Sequence, residues 1–287
     1  MSVRDILINA GFRITSETNG YYRMKPLHRV AKTDCLSVSI RSGRFHDFAT
    51  GDSGPLEKLI RMTNGGSIEF APEKDVVAEL KDEVVPEVRD IGPLFPSYGF
   101  YNKRGISDKT LETFQAGFCQ GDKMYNRFVF PIYNPDNSLV GYSGRRVDGN
   151  DKVIKWKHVG KKNLWVYPVL WNAGSIKKSK EIIVVESIGN MLALWEAGLK
   201  HSIICFGTSC SKALLSTIIS FNPKRIVLGF DNDEGTNPGQ TARVKMQNEL
   251  EKWFDKSKIC TKLTPVGRDL SDIWAQEKIN GIRNWYK

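Results

Sequence analysis

Acidic residues follow two apolar runs in the C-terminal half of the chain. Glu186 comes directly after residues 181–185 (EIIVV). Asp231 and Asp233 come directly after residues 225–230 (RIVLGF). Each run is short, unbroken and rich in β-branched residues, which is typical of a strand buried on both faces of a parallel sheet. The pattern therefore places the three carboxylates at the sheet edge where ligand sites of open α/β sheets gather.

Three carboxylates that share a site repel one another, so they need protons or a cation. Oxygen ligands suit Mg²⁺ or Mn²⁺, and these ions commonly hold phosphate oxygens as well. An alternative is that each acid is a surface charge or a residue of a first helical turn. For Glu186 alone this alternative is the better interpretation. The combination with Asp231 and Asp233 favours a metal site.

Alternating strands and helices are predicted to position these acids. Strands are expected at 181–185, 202–206, 225–230 and 259–263, and helices at 190–196, 212–220 and 240–254. The last of these helices carries a rough apolar stripe that includes Val244. This alternation predicts a parallel α/β sheet and brings acids that are distant in sequence to neighbouring strand ends.

The same motifs resemble a known family. Residues 186–194 (ESIGNMLAL), 207–209 (GTS) and 230–235 (FDNDEG) are similar to the Toprim domain. That domain occurs in DnaG-type primases, type IA and type II topoisomerases and some nucleases, so it implies metal-dependent phosphate chemistry and not one reaction.

Upstream segments resemble the N-terminal part of the DnaG-type primase core, as found in bacteria and phages. They are residues 101–107 (YNKRGIS), 127–133 (RFVFPIY), 140–146 (VGYSGRR), 155–158 (KWKH) and 160–165 (GKKNLW). The resemblance covers about residues 95 to 275. It implies an α/β fold in which a Toprim Rossmann-like parallel sheet follows a basic α+β primase subdomain, with a small separate β-rich domain at the N-terminus.

Positive charge is concentrated in the middle of the chain. Residues 91–180 hold 15 Lys and Arg against 6 Asp and Glu, whereas the whole chain has a net charge of +10. Aromatic residues interrupt this block, a composition that favours a groove which follows a phosphate backbone and stacks bases. The alternative, a solvated surface over an aromatic core, is the better interpretation of any single residue.

The resemblance also assigns roles. It implies that four acids are both catalytic and metal-ligating: Glu186, Asp231, Asp233 and Asp269. It implies that nucleotide, primer or template phosphates are bound by a basic set: Lys103, Arg104, Arg127, Arg145, Arg146, Lys155, Lys157 and Lys161. Asp272 is a weaker candidate, because a role at the start of a helix explains it equally well.

Two residues of the Toprim segment depart from the family pattern. Ser187 stands where glycine is usual, and Asn190 stands where the family has an aspartate four positions after the glutamate. An amide oxygen can still ligate a hard cation but brings no charge, so a second metal ion would be held less tightly.

Residues 1–70 follow the outline of a zinc ribbon without its ligands. Up to residue 70 the chain has one cysteine, Cys35, with His28 and His46, and no Cys-x-x-Cys pair. The sequence therefore predicts no structural zinc and an apolar core instead. That core is expected to comprise Leu36, Val38, Ile40, Phe45, Phe48, Leu56 and Leu59. A set of basic residues is expected to face template DNA, with a solvated sheet face that has no role in DNA binding as the alternative. The set is Arg23, Lys25, Arg29, Lys32, Arg41 and Arg44.

Composition and resemblance together give a predicted domain plan. The plan is a ribbon-like template-binding domain (1–70), an acidic linker (71–92), a basic primase subdomain (93–178) and a Toprim catalytic subdomain (179–287). Within residues 71–90 there are 3 Lys and Arg against 7 Asp and Glu. Such a segment, with prolines near both ends, is typical of a solvated linker.

The resemblance predicts a primase, a nucleotidyltransferase of DNA replication that makes short RNA primers on single-stranded DNA from ribonucleoside triphosphates. A separate replicative helicase is the expected partner. The five scattered cysteines and the absence of a signal-peptide core or membrane-length apolar run predict the cytoplasm of a bacterial or phage-infected cell. Asn190 and the missing zinc ligands suggest a phage or mobile element. Two alternatives are a Toprim-family nuclease and a non-catalytic single-stranded DNA-binding or loading protein.

Overall fold

The described part of the chain folds into three sheets and the helices that pack on them. The structure is a computed structural model that describes residues 1–66, 68, 70, 88, 90–149, 154–207, 210–232 and 238–287, with only the backbone for residues 122 and 238–241. Within these ranges, no helix is long and apolar enough to cross a bilayer.

The first sheet belongs to the N-terminal module, defined here as residues 1–66. Its strands pair antiparallel in the order β1-β2-β3-β4-β5. They are β1 Ile14–Thr18, β2 Tyr21–Met24, β3 Leu36–Ser39, β4 Phe45–Asp47 and β5 Ser53–Gly54. Two helices, α1 Val3–Asn9 and α2 Leu56–Asn64, cover one face of this sheet with apolar side chains.

The second sheet is formed by the basic segment and is also antiparallel. Its order is β10-β9-β8-β7-β6. The strands are β6 Leu94–Phe95, β7 Gly117–Cys119, β8 Arg127–Tyr133, β9 Leu139–Arg146 and β10 Trp156–Gly160. The short helices α3 Gly99–Asn102 and α4 Asp108–Thr113 lie between β6 and β7, and single 3₁₀ turns occur at Asp122–Met124 and Lys162–Leu164.

The third sheet is parallel, with the order β12-β11-β13-β14. Its strands are β11 Glu181–Val185, β12 Ser202–Ile204, β13 Arg225–Phe230 and β14 Ile259–Leu263. Its helices are α5 Val169–Ser179, α6 Ile188–Glu196, α7 Lys212–Phe221, α8 Pro238–Leu250 and α9 Leu270–Tyr286, with a 3₁₀ turn at Lys256–Lys258 and a backbone kink inside α9 at Lys278. The predicted parallel α/β sheet is confirmed.

Alternation along β11 explains why the strand is apolar throughout. Ile183 and Val185 face the core that contains α6, α9 and part of the second sheet, whereas Ile182 and Val184 face the core beneath α5, α7 and α8. All four are fully buried. The β-branched run is therefore the signature of a strand with a helical layer on each side, as the sequence predicts.

The described residues also correct two details of the predicted core. Val244 is 47% exposed, because the buried face of α8 is formed by Ala242, Met246 and Leu250, which are four residues apart. Phe48 is 58% exposed, since it lies in the turn after β4 and its ring packs under the Arg23 guanidinium rather than in the core. Leu36, Val38, Phe45, Leu56 and Leu59 are each 2% exposed or less, and Ile40 is partly buried against them.

The expected linker, 71–92, lies almost entirely outside the described residues. At its end, Ile91 is 5% exposed and packs with Cys119, Met124 and Val129 on the second sheet. The predicted boundaries of the four domains stay a prediction. The last linker residues nevertheless contribute to the packing of the basic segment.

An ion pair occupies the middle of the N-terminal module. Asp47 is fully buried, and its carboxylate accepts hydrogen bonds from the Arg29 guanidinium at 2.6 Å and from the Ala49 N–H at 3.0 Å. The same guanidinium lies 3.0 Å from the Cys35 thiol. Burial raises the pKa of the Asp47 carboxyl, but the hydrogen bonds from Arg29 and Ala49 outweigh it, so the pKa is lowered. Arg29, expected to face DNA, is thus engaged inside its own module.

Replacing Arg29 by alanine should destabilise this module, because the buried Asp47 carboxylate would lose its counter-charge. We expect the midpoint of thermal unfolding, followed by circular dichroism, to fall by roughly 10 °C. Arg4→Ala is the control, because Arg4 and Glu17 form an exposed pair at 4.0 Å and should contribute little. Equal midpoints for the two variants would contradict the assigned role.

The pH dependence of the module follows from the same pair. Because the pKa of the Asp47 carboxyl is lower in the folded than in the unfolded protein, the pair stabilises the fold at pH values above the unfolded-state pKa of 3.8. This stabilisation is lost as the pH falls through the folded-state pKa. In Arg29→Ala the guanidinium is lost while burial and the Ala49 N–H hydrogen bond remain, so the pKa of the Asp47 carboxyl is higher than in the wild type and the loss should begin at a higher pH. A chelator should leave the wild-type unfolding midpoint unchanged, and a large decrease would instead reveal a structural metal.

Candidate active site

Two of the predicted acids meet at the carboxyl edge of the parallel sheet. β11 and β13 are neighbours in parallel register, with Val185 opposite Gly229, so both strands end at the same level. Glu186 and Asp231 follow these strands, and a Glu186 Oε accepts a hydrogen bond of 3.0 Å from the Asp231 N–H. The structure therefore joins residues that lie 45 positions apart in sequence.

Asn190 extends this contact from helix α6. Its side-chain Nδ2 donates to Asp231 Oδ1 at 2.8 Å. The residue is fully buried, and its Oδ1 has no hydrogen-bond partner among the described residues. A buried amide oxygen without a donor is uncommon, and it can accept from a water molecule or ligate a cation.

The position of Ser187 explains why a serine can replace the glycine that is usual in the family. It is the N-cap of α6, with φ −131° and ψ 160°, an extended conformation that does not require glycine. Its hydroxyl accepts a hydrogen bond from the Asn190 N–H at 3.3 Å. The serine therefore stabilises the helix start that presents Asn190 to Asp231.

The predicted metal site is only partly within the described residues. Asp233 lies outside them, as do Thr208 and Ser209 of the Gly-Thr-Ser motif. Among the residues that the structure does describe, no group of three or more His, Cys, Asp or Glu side chains is arranged to hold a metal ion. The donors of Glu186, Asp231 and Asn190 are nevertheless all hard oxygens, and this set fits a divalent cation with part of its hydration shell.

Asp269 serves first as a helix cap. Its Oδ1 accepts from the Asp272 N–H at 2.8 Å, and Asp272 Oδ2 accepts from the Asp269 N–H at 3.2 Å, so the two acids form a capping box at the start of α9. Burial raises the pKa of the Asp269 carboxyl, and the neighbouring Asp272 charge adds to this effect. Asp272 thus has the helix-start role that the sequence allows.

The starts of α9 and α6 lie side by side. A Cβ built on Gly189 would be 3.4 Å from the Ser271 side chain, so Gly189 permits the close approach of the two helices. Because Gly189 is near Glu186 and Ser271 is near Asp269, this contact brings the fourth predicted acid toward the edge where the first two meet. Whether Asp269 ligates a cation there stays a prediction.

The antiparallel sheet forms a wall opposite the acids. A cavity of about 240 Å³ is lined by Glu186 and Asp231 on one side and by Ser143 of β9 and Trp156 and His158 of β10 on the other. Ser143 and His158 face each other across the two strands. Ser143 Oγ and His158 Nδ1 are both buried and have no hydrogen-bond partner among the described residues. These two polar groups are therefore available to a ligand in the cavity.

His158 is neutral at physiological pH. Burial lowers the pKa of its imidazole to about 4, and the positive charges of Lys162 and Arg127 contribute in the same direction. Neither Ser143 nor His158 is among the residues proposed from the sequence. Strand alternation could have revealed His158, because Trp156 and His158 point to one face of the strand, whereas Lys155 and Lys157 belong to the opposite face and are exposed.

The predicted basic residues divide into exposed and engaged groups. Lys103, Lys155, Lys157 and Lys161 are exposed. Arg127 is only 4% exposed, and its guanidinium donates to the carbonyl oxygens of Ile154, Lys155 and Gly144 at 2.7 to 3.1 Å. In this structure Arg127 therefore ties β8 to β9 and to the start of β10. Its predicted contact with a triphosphate stays untested.

Three arginines lie around the aromatic rim of the wall. The Arg104 guanidinium is 3.8 Å from the Phe100 ring centre, and that of Arg145 is 5.3 Å from the same ring and 5.5 Å from Trp156. Arg146 instead forms a two-point ion pair with Asp148. Stacking holds the first two charges in place, and among the described residues neither guanidinium forms an ion pair with a carboxylate, an arrangement suited to phosphate contacts.

Comparison with known proteins finds a family match in the parallel-sheet part and primase relatives over nearly the whole chain. A protein-family model described as Toprim-like matches residues 183–273. A DNA primase of Helicobacter pylori strain J99 is 29% identical over 326 residues, covering 93% of this chain and 56% of the relative. A Campylobacter jejuni DNA primase is 23% identical over 348 residues, covering 99% of the chain and 55% of the relative. The chain is similar to bacterial DNA primases over nearly its whole length.

Solved primase structures share the fold. The zinc-binding and RNA polymerase domains of Aquifex aeolicus primase match with a TM-score of 0.56 at 17% identity, covering 99% of this chain and 82% of that one. The RNA polymerase domain of Mycobacterium tuberculosis DnaG matches with a TM-score of 0.57 at 18% identity, covering 66% and 74%. The chain spans a little over half the length of the primases from Helicobacter and Campylobacter.

Asn190→Asp should strengthen divalent-cation binding, because it adds a charge beside Asp231. We expect roughly tenfold tighter Mn²⁺ binding, measured by electron paramagnetic resonance of the free ion. Asn9→Asp, which adds the same charge on the exposed face of α1, is the matched control. If both variants bind Mn²⁺ as the wild type does, Asn190 does not belong to a cation site.

Proposed function

We propose that this chain is a DNA primase that synthesises short RNA primers on a single-stranded DNA template from ribonucleoside triphosphates. The observation that carries the proposal is the contact of Glu186 with Asp231 at the sheet edge, opposite the basic and aromatic wall of β9 and β10. The similarity to bacterial primases over nearly the whole chain supports the same reaction.

In the proposed site, Glu186, Asp231, Asp233 and Asp269 hold a divalent cation, for which we propose Mg²⁺, with Mn²⁺ as a substitute. The bound cation would offset the charge of the triphosphate and of the reacting oxygens. The chain's own groups position the substrates. Ser143 and neutral His158 are placed to hydrogen-bond a nucleotide in the cavity, where water is partly excluded.

The reaction is a nucleotidyl transfer. The 3′-hydroxyl of the growing strand attacks the α-phosphorus of the incoming nucleotide, a P–O bond forms, and pyrophosphate leaves. Arg104 and Arg145 are placed to bind phosphates at the rim, and the exposed Lys103, Lys155, Lys157 and Lys161 to follow the template or the nascent strand. Arg146 and Arg127 support this surface through their contacts with Asp148 and with the strand carbonyls.

We propose that the working partner is a separate replicative helicase and that the site of action is the cytoplasm of a bacterial or phage-infected cell. The non-catalytic alternative is disfavoured because Glu186 and Asp231 are retained together at a costly, partly buried position. A nuclease would not require the wall of β8 to β10 that this chain shares with primase cores.

Asp231→Asn should abolish primer synthesis while leaving DNA binding nearly intact, because it removes a ligand charge and keeps the shape of the side chain. The measurement is the yield of short RNA from labelled ribonucleotides, single-stranded DNA and Mg²⁺. Asp136→Ala, in the β8–β9 turn, is the control and should keep wild-type yield. Full synthesis by Asp231→Asn would refute the metal assignment, and DNA cleavage without nucleotides would favour the nuclease.

Single-stranded DNA binding should depend on the exposed lysines of the wall. We expect Lys157→Gln to weaken binding and to reduce the slope of log affinity against log salt by roughly 0.7, the value for one phosphate contact on a single strand. Lys224→Gln, directly before β13 at the end of the parallel sheet opposite the acids, should leave the slope unchanged. Fluorescence anisotropy over a salt series measures both, and identical slopes would place the strand elsewhere.

A further inference from the structure

A second cavity lies between the N-terminal module and the segment after α8. Its volume is about 670 Å³, within the range of ligand pockets. Strands of the N-terminal sheet contribute Tyr21, Ser37 and His46 to its lining, Arg44 lines it from the residue before β4, and Trp253 lines it from the parallel-sheet side. This inter-module cleft is separate from the cavity that contains Glu186 and Asp231, because the two share no lining residue.

Arg44 gives the inter-module cleft a partly buried positive group. Its guanidinium lies 5.1 Å from the Trp253 ring centre, and its Nε is buried without a hydrogen-bond partner among the described residues. Burial lowers the pKa of this guanidinium, with the charge of Glu249 acting in the opposite direction. Glu249 itself forms an ion pair with Lys252. Leaving a buried donor unpaired is unfavourable, and a phosphate oxygen would satisfy it.

The remaining lining selects the kind of anion. Arg41 also lines the cleft, serine hydroxyls supply further donors, and none of the described residues that line it carries a carboxylate. Tyr21 is 46% exposed and His46 is exposed, so flat rings are available beside the charges. Positive groups interleaved with aromatic rings are the features that bind nucleotides of single strands.

Ion pairs between the two modules create the cleft. Arg61 of α2 pairs with Asp255, which is 3% exposed, and Lys258 pairs with Glu57 of α2 at 2.7 Å. Asp255 is two residues from Trp253, so the pairing that docks α2 also sets Trp253 opposite Arg44. Because neither module alone forms both walls, a ligand of the cleft and the docking of the modules must stabilise each other.

We propose that the inter-module cleft binds a nucleotide unit, with its phosphate on Arg44 and its base against Trp253, and that this binding holds the N-terminal module in the docked position. The same chemistry is offered by a segment of single-stranded DNA and by a free nucleotide. The proposed binding is remote from the acids. Nucleotide binding at the cleft can therefore be absent while primer synthesis is observed, and it can be present while primer synthesis is absent.

The test uses the full chain in EDTA, so that no divalent cation is available to the acids. A short oligothymidylate containing 5-iodouracil, or 5-iodouridine triphosphate, is cross-linked by ultraviolet light, and the attachment site is mapped by mass spectrometry. Attachment at Trp253 or Tyr21 supports the proposal, and the probe that attaches identifies the source. Attachment of neither probe within the cleft overturns it.

Variants test the two walls by binding measurements. Arg44→Gln and Trp253→Ala should each weaken binding of the attaching probe by roughly tenfold, whereas Trp253→Phe should retain most of it. Lys200→Gln removes the cation of the Lys200–Trp195 contact elsewhere and should change affinity less than twofold. Unchanged affinity in Arg44→Gln and Trp253→Ala, with wild-type circular dichroism, would refute the site.

A charge reversal tests the link to docking. Arg61→Glu breaks the pair with Asp255 without touching the cleft lining, and it should reduce cross-linking at the cleft severalfold. Arg4→Glu makes the same change of charge on α1 and should leave cross-linking as in the wild type. If Arg61→Glu cross-links as efficiently as Arg4→Glu, binding at the cleft does not depend on docking, and that part of the proposal is wrong.

Discussion

The parallel register of β11 and β13 is the constraint on which the candidate site depends. It makes Glu186 and Asp231 leave the sheet at the same level, and the hydrogen bond between them fixes their separation. Ser187 and Asn190 then attach helix α6 to the same point. A shift of one residue in this register would exchange the side chains of β11 between the two cores and separate the acids, so core packing and site geometry are specified together.

Periodicity predicted most of the catalytic half. Strands β11, β13 and β14 have the bounds that the sequence indicates, and β12 is shorter by two residues. Helix ends were less accurate, because α8 stops at Leu250 and the apolar Trp253 and Phe254 belong to the turn that follows. Local spacing does not reveal that a chain leaves the helix while its side chains continue to pack.

Long-range contacts account for what the sequence did not show. Arg127 looks like a phosphate ligand in its motif, but its guanidinium is buried against carbonyls of β9 and of the segment before β10. Ser143 and His158 are unremarkable in the sequence, and only the pairing of β9 with β10 sets them opposite each other beside the acids. Asp233 lies outside the described residues, so its assignment as a metal ligand still rests on its sequence motif.

Asp269 uses one carboxylate oxygen to hold the first turn of α9, which leaves the second oxygen for other partners. Any ion that drew on this carboxylate would therefore also act on the C-terminal helix, whose far end carries Trp285 against Gly229 of β13. An ion held at the sheet edge would in this way also steady the first turn of α9, whereas the kink at Lys278 separates that turn from the half of the helix that carries Trp285.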